Sequence, residues 1–404
     1  MSAKELPKDH GAGHLLQLDG LRALAVMAVI VQHTITLPTQ LNLGRAGVRL
    51  FFVLSGFLIT RILLQARARC TDTNDARYSL RAFYGRRFLR IFPLYYLVLA
   101  AALFLDLPRI GDYFWSLVSY TSNLQAAASG NFQEQPFGHF WSLAVEEQFY
   151  IFWPTLMLFL PARWLLPAIV ATIVAGPLSR LVLLACGRGV AYEVMTTSCL
   201  DTLGAGALLA YLKDHARVLA AAYRRIGTAA LCAGLALLTV IATPALIAQA
   251  YMPAKVLLDM VYLLIFAWLV SRAADGFTGS LGRFLECRPL VYFGMISYGV
   301  YVYHYFVPVI TERIGEGLGV GVSLPRSGPV LCAYVTLVTL GLATVSWFLF
   351  EKPLNELKQY LPYQRKRVVV VQVPAAGVRP ARAGVAPELA VEAPSADVPA
   401  REAA

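Results

Sequence analysis

Apolar segments of about 20 residues recur along most of this chain, and each is long enough to cross a hydrocarbon core roughly 30 Å thick. In lipid, a spanning segment must satisfy its backbone hydrogen bonds internally, which favours helices. Of the 404 residues, 58% are hydrophobic and 15% are charged, whereas a soluble domain carries about 25% charged residues. The sequence therefore predicts an all-α integral membrane protein, a bundle of about ten transmembrane helices.

Hydropathy predicts spans near 18–37, 46–65, 91–107, 139–160, 164–186, 198–212, 226–247, 255–271, 288–311 and 328–350. A further apolar stretch at 112–128 could be a re-entrant or interfacial helix. If it were a span, every later span would be reversed in orientation. The charge of the loops must therefore decide the topology.

Arginine and lysine residues concentrate in alternate loops, which is typical of cytoplasmic loops. The stretches 66–90, 213–225 and 272–288 and the segment after the last span are rich in them. This pattern predicts that both termini are cytoplasmic. It also explains the net charge of +11 without nucleic-acid binding, for which so apolar a chain offers no soluble surface.

The predicted spans divide the chain into three parts. Residues 1–17 form a polar cytoplasmic segment, 18–355 the transmembrane domain and 356–404 a cytoplasmic tail that is expected to be disordered. The first apolar segment ends without a small-residue cleavage site, so we expect a retained anchor. The cysteines show no C-x-x-C spacing, which disfavours a metal or redox motif. A disulfide between Cys186 and Cys199 remains open.

Charged and polar residues inside predicted spans point to function, because they are costly in lipid. Arg22 and His33 lie eleven residues apart in the first span. On a helix they share one face, about 16 Å apart along the axis. They could line a transverse cavity. Alternatively, Arg22 reaches the membrane surface and His33 is satisfied by a neighbouring helix.

The fourth predicted span opens with a polar run that contains Glu146 and Glu147. Glu146 shares a helix face with Tyr150, four residues later. We expect Glu146 to face a cavity at the depth of His33. An imidazole can take the proton of an attacking alcohol, and a carboxylate can orient that imidazole. The imidazole could instead become acylated itself. The alternative is a pair of acids at the water interface.

Three further groups have both a functional and a structural interpretation. Arg86, Arg87 and Arg90 could bind phosphate groups of a nucleotide-bearing donor, or simply mark a cytoplasmic loop. Asp201 could be a cavity acid or an interfacial one. Tyr301 and His304 suit a sugar ring but also suit an aromatic belt. By contrast, Ser55-Gly56 favours close helix packing over a nucleophilic serine, since no G-x-S-x-G elbow is present.

Six runs along the chain resemble, in order, the landmarks of the membrane acyltransferase-3 family. They are Leu18-Asp19-Gly20-Leu21-Arg22-Ala23 with His33, the run ending Ser55-Gly56-Phe57, the Arg87–Arg90 pair, Trp141-Ser142-Leu143 to Tyr150, Ser297-Tyr298 to His304, and Glu351-Lys352-Pro353. The match extends from residue 18 to about residue 355.

The resemblance implies a ten-helix bundle of the bacterial plasma (inner) membrane. Such a protein takes an acyl group, commonly acetyl, from cytoplasmic acyl-CoA, which is a co-substrate and not a permanently bound cofactor. The acceptor would be a sugar hydroxyl of a surface polysaccharide, lipopolysaccharide, oligosaccharide or glycosylated small molecule. Some relatives carry an added soluble esterase-like domain, which we expect this chain to lack.

The resemblance also implies roles for individual residues. His33 would be the catalytic base, and Glu146 would support His33 or the acceptor. Arg87 and Arg90 would bind the CoA phosphates, with Arg86 as a further donor-site candidate, and Arg22 would be a donor-site residue or a structural partner. The candidates for substrate binding are Trp141, Ser142, Glu147, Tyr150, Asp201, Tyr301 and His304.

Two other classes of function compete with acyl transfer. A proton-coupled transporter also uses intramembrane His and Glu residues, but transporters tend to show inverted repeats, and we find none. A non-catalytic scaffold for polysaccharide export would have no need of a His–Glu pair.

Overall fold

A computed structural model describes residues 11–36, 42–131, 137–241, 251–320 and 324–363. Regular structure in these ranges is entirely helical, with no strand, which confirms the all-α prediction. The predicted tail beyond residue 363 and residues 1–10 lie outside the described ranges.

The first part of the chain contains helices α1 (Gly11–Thr34), α2 (Leu43–Arg69), α3 (Thr73–Phe104), α4 (Ile110–Val118), α5 (Ser122–Ser129), α6 (Phe140–Phe159), α7 (Ala162–Ala185), α8 (Gly189–Val194), α9 (Thr196–Asp214) and α10 (Ala216–Ile241). The stretch 112–128, for which two interpretations were open, forms α4 and α5. With 9 and 8 residues, each is too short to cross a bilayer.

The rest of the chain contains α11 (Tyr251–Asp275), α12 (Gly279–Leu285), α13 (Arg288–Met295), α14 (Ser297–Tyr303), α15 (Phe306–Gly317) and α16 (Pro329–Ser346), then a π-helical turn (Trp347–Glu351), α17 (Lys352–Glu356) and a 3-10 turn (Leu357–Tyr360). The sequence predicted one span at 288–311, but the structure has α13, α14 and the start of α15 there. Pro308 has no N–H for the carbonyl of His304, four residues earlier, which favours the second break.

Five described helices are long and apolar enough to cross a membrane: Leu43–Arg69, Thr73–Phe104, Ala162–Ala185, Val256–Asp275 and Pro329–Tyr360. The predicted count of ten spans is not confirmed.

Residues after the last long helix pack back onto α3. Arg86 donates hydrogen bonds to the carbonyls of Lys358 and Leu361, and Ser79 donates one to the carbonyl of Tyr363. The start of the predicted tail is therefore ordered as far as residue 363. All six cysteines are free, so the Cys186–Cys199 disulfide is not formed.

Helices α2 and α9 approach so closely that glycine is required on both sides. A methyl group on Gly56 would overlap the carbonyl of Leu203, and one on Gly206 would overlap the carbonyl of Val53. This confirms the close approach predicted at Ser55-Gly56. It also fixes the position of α2, which forms one wall of the site described below.

A buried ionic network joins α2, α7, α8 and α11 around Asp259, whose side chain is 0% exposed. Arg45 donates to both carboxylate oxygens, at 2.8 and 2.6 Å. Arg49 and Arg180 lie at 3.5 and 3.6 Å, and the Tyr192 hydroxyl donates at 2.6 Å. A buried charge needs such partners because desolvation alone is strongly unfavourable.

We expect Gly56→Ala to lower the free energy of unfolding by about 1–3 kcal/mol, since an added methyl group in a packed interface forces the backbone apart. Thermal unfolding of the purified protein in detergent measures the change. Gly111→Ala is the control, because its added methyl group would meet nothing within 4 Å. Equal midpoints for the two variants would contradict the tight α2–α9 interface.

Asp259→Asn should destabilise the protein by about 3–5 kcal/mol, because it leaves buried arginines without their counter-charge. The control is Asp112→Asn, which removes an exposed ion pair to Arg109 and should cost less than about 1 kcal/mol. Denaturation of both variants, followed by tryptophan fluorescence, gives the two values. A loss at Asp259 no larger than at Asp112 would rule out the network as a stabilising unit.

Candidate active site

A cavity lies between α1, α2, α3, α6 and α14. Helix α2 contributes an apolar wall that includes Phe51, Phe52 and Leu54. The charged groups come from the other helices. They are Arg22 of α1, Arg87 and Arg90 of α3, and Glu146 and Glu147 of α6. Eight of the thirteen residues predicted for the site therefore meet in one cavity, these five charged residues among them.

The cationic side of the cavity is formed by three arginines. Arg22 lies 3.5 Å from Asp19, three residues earlier. Arg87 packs over the rings of Phe83 and Tyr150. One terminal nitrogen of Arg90, Nη1, is buried without a hydrogen-bond partner among the described residues. Guanidinium groups with unused donors are suited to phosphate oxygens.

The acidic side is formed by two neighbouring carboxylates. The Tyr150 hydroxyl lies 3.4 Å from Glu146 Oε2 and is also hydrogen-bonded to Ser55. Glu147 lies in the cavity wall and is 8% exposed. The sequence predicted that Glu146 would face His33. In the structure, Glu146 contacts the cavity groups, and His33 is not part of the cavity wall.

A chain of hydrogen bonds forms the cavity wall next to the histidines. The Ser142 and Tyr301 hydroxyls are 2.6 Å apart, and the Tyr301 hydroxyl donates to the carbonyl of His139 at 2.9 Å. Ser142 and Tyr301 both line the cavity. Tyr301 also touches the histidines through its backbone, because its carbonyl lies 2.6 Å from Nδ1 of His304.

His33 and His304 form a hydrogen-bonded pair, hereafter the histidine pair. Nδ1 of His33 lies 2.9 Å from Nε2 of His304, and the two rings stack with centroids 5.2 Å apart. His304 is 1% exposed, whereas His33 is exposed at the end of α1. The partner of His33 is therefore an imidazole, and the predicted carboxylate lies elsewhere. Helix period alone could not identify a partner 271 residues away in sequence.

A third histidine, His139, was missed by the sequence reasoning. Its ring lies 5.0 Å from that of His304 and stacks on Tyr305. Its Nε2 is 3.3 Å from the carbonyl of Val302, and its Nδ1 is buried without a partner in the described ranges. The available signal was a histidine at the first position of the fourth predicted span. No group of three or more described His, Cys, Asp or Glu residues is arranged to hold a metal ion.

Besides the histidine pair, three predicted site residues lie outside the cavity wall. Arg86 points to the carbonyls of Lys358 and Leu361, since adjacent helix positions point about 100° apart and Arg87 occupies the cavity side. Asp201 is fully buried and accepts a hydrogen bond from Arg180 at 2.5 Å. The Trp141 ring packs edge-on against Phe52.

Comparison with known proteins finds one matching family and several relatives of similar length of match. A family model described as an acyltransferase domain matches residues 15–349. The chain is 31% identical over 367 residues to a putative peptidoglycan O-acetyltransferase, YrhL, of Bacillus subtilis, covering 84% of this chain and 54% of the relative. It is 30% identical over 328 residues to the peptidoglycan O-acetyltransferase OatA of Listeria monocytogenes (74% and 50%). For the O-acetyltransferase OatA of Staphylococcus aureus the identity is 28% over 336 residues (76% and 52%).

The chain thus spans about half the length of these curated relatives. No solved structure matches it significantly.

Proposed function

The chain belongs to the acyltransferase-3 family, and from that premise we propose that it is a multi-pass membrane O-acyltransferase. It moves an acyl group, most simply acetyl, from acyl-CoA to a hydroxyl of a cell-envelope carbohydrate. The observation that carries the proposal is the histidine pair next to a cavity lined by three arginines. The names of the relatives support acetyl as the group and peptidoglycan as the class of acceptor. The comparisons give no support to the transporter alternative.

The arginine side of the cavity is the proposed site for the donor. Arg87 and Arg90 would bind phosphate oxygens of CoA, with Arg22 as the third cation. The pantetheine arm would lie along the apolar wall of α2. The positive-inside pattern supports a cytoplasmic position for this side and for both termini, in a bacterial plasma membrane.

His33 is the proposed catalytic base. Its Nδ1 is engaged by His304, so Nε2 is the atom that can accept a proton from the acceptor hydroxyl. The hydroxyl oxygen attacks the thioester carbonyl carbon as its proton moves to Nε2. The carbon–sulfur bond then breaks, and the imidazolium returns the proton to the CoA thiolate. This is direct transfer, and no acyl-histidine forms.

The acceptor site is proposed on the exposed side of His33, near the end of α1. Ser142 and Tyr301 line the cavity, and the Tyr301 carbonyl contacts His304, the partner of His33. In the proposed arrangement the thioester reaches His33 past these two hydroxyls. This arrangement separates donor and acceptor and leaves His33 accessible to a large glycan.

His33→Ala should abolish acyl transfer, because it removes the base while leaving the arginine cavity intact. The measurement is a mass comparison of envelope glycans and glycosylated small molecules from cells that lack the gene and are complemented with wild type or variant. His215→Ala, at an exposed histidine at the end of α9, is the matched control. An acyl mass difference restored equally by His33→Ala would eliminate His33 as the base.

Arg90→Ala should raise the KM for acetyl-CoA by about tenfold to a hundredfold, because a hydrogen bond to a charged group contributes about 1.5–3 kcal/mol. The KM for acetyl-pantetheine, which lacks the nucleotide phosphates, should not change. Arg81→Ala, an exposed arginine of the same helix, is the control. An equal rise in KM for both donors would mean that Arg90 does not bind phosphate.

A further inference from the structure

The backbone of α14 determines which nitrogen of His304 carries a proton. Nδ1 of His304 lies 2.6 Å from the carbonyl oxygen of Tyr301. A carbonyl oxygen can only accept a hydrogen bond, so Nδ1 must be the donor. A neutral imidazole has one N–H and one lone pair. Nε2 of His304 therefore carries the lone pair.

This tautomer of His304 in turn determines the tautomer of His33. Nε2 of His304 faces Nδ1 of His33 at 2.9 Å. Since Nε2 of His304 accepts, Nδ1 of His33 must donate. The lone pair of neutral His33 then lies on Nε2, the nitrogen outside the pair. The direction of both hydrogen bonds follows from one backbone carbonyl.

We propose that His304 is the positioning residue of His33: it holds the ring in the tautomer and orientation in which Nε2 acts as the base. This inference rests on the proposed function and deepens it. His304 takes the place that a carboxylate has in a Ser-His-Asp arrangement. It accepts from the base through a neutral lone pair, and it stabilises the imidazolium that forms when His33 takes a proton.

The burial of His304 explains why an imidazole suits this position. His304 is 1% exposed, and its ring is surrounded by His139, Tyr301 and Tyr305. An ionised carboxylate there would be a buried charge, and none of the described ring neighbours of His304 is an arginine or lysine that could pair with it, which is strongly unfavourable. A neutral acceptor avoids that cost before the reaction begins. The carboxylates of the site, Glu146 and Glu147, lie instead in the cavity that holds the arginines.

The break between α14 and α15 places His304 for this role. Tyr301 is three residues before His304, so its carbonyl oxygen lies within hydrogen-bond distance of Nδ1 of His304. The side chain of Tyr301 meanwhile lines the cavity and bonds to Ser142. Any movement of Tyr301 as the donor passes would therefore also move the carbonyl that holds His304. Tyr301 thus lines the cavity with its side chain and positions His304 with its backbone.

Two substitutions separate positioning from packing. His304→Gln can place an amide oxygen near the position of Nε2 and accept from His33. His304→Asn can keep a donor near the position of Nδ1, bonded to Tyr301, but does not reach His33. We expect kcat within about threefold of wild type for Gln and a loss of about a hundredfold for Asn. The KM for acetyl-CoA should be unchanged in both, because the arginines are untouched.

A purely structural role would give a different result. It would lower expression and thermal stability of both variants in parallel, and it would not lower kcat selectively while the KM for acetyl-CoA stays unchanged. Wild-type kcat in His304→Asn, or a loss in His304→Gln as large as in His304→Asn, would overturn the inference. The His33→Ala variant distinguishes a failure of the proposed base from a failure of the positioning role. If His33→Ala retains transfer, the proposed base is wrong. If it is inactive while His304→Asn is fully active, only the positioning role fails.

A measurement on the wild-type protein tests the tautomer without either His304 variant. Nitrogen NMR of the detergent-solubilised protein with 15N-labelled histidine distinguishes protonated from unprotonated ring nitrogens, and His33→Ala assigns the signal. The expected result at neutral or higher pH is His33 protonated on Nδ1 and unprotonated on Nε2. The opposite tautomer would overturn the inference.

Discussion

The cost of placing charge inside an apolar layer shapes this molecule. The structure meets that cost in two ways. Around Asp259, three arginines and a tyrosine hydroxyl surround one carboxylate and join four helices. In the cavity, by contrast, Arg87 and Arg90 face open space, and a terminal nitrogen of Arg90 has no described partner. In the first cluster, the central carboxylate is paired with arginines of the protein itself. The second is suited to an anion that the protein does not supply.

Helix α2 connects these two clusters. One of its faces carries Arg45 and Arg49 into the network around Asp259, and another forms the apolar wall of the cavity. The backbone contact at Gly56 holds α2 against α9. A shift of α2 would therefore disturb the network and the cavity together. This coupling provides the rigid scaffold that a site needs when its reacting groups come from several helices.

Much of the fold class and the polar content of the site could be predicted from sequence, because both follow from hydropathy. The cavity brings together Arg22, Arg87, Arg90, Glu146 and Glu147 as one set. The hydrogen-bond partner of His33 could not be predicted, since helical period gives the residues that share a face but not the helix that the face meets. The same limit of helical period applies to Asp201. Its partner, Arg180, lies on another helix and holds Asp201 outside the cavity wall. The break before Pro308, which orients His304, is likewise hidden within one apolar run.

In the proposed reaction, an acyl group passes from a donor among the arginines to an acceptor at His33, on the other side of the cavity wall. Reconstitution of the protein in vesicles tests it directly, with labelled acetyl-CoA trapped inside and a soluble peptidoglycan fragment only outside. In vesicles where the arginine side faces inward, we expect labelled O-acetyl groups on the external fragment and free CoA in the lumen. Label transfer only when donor and acceptor share one compartment would contradict the account.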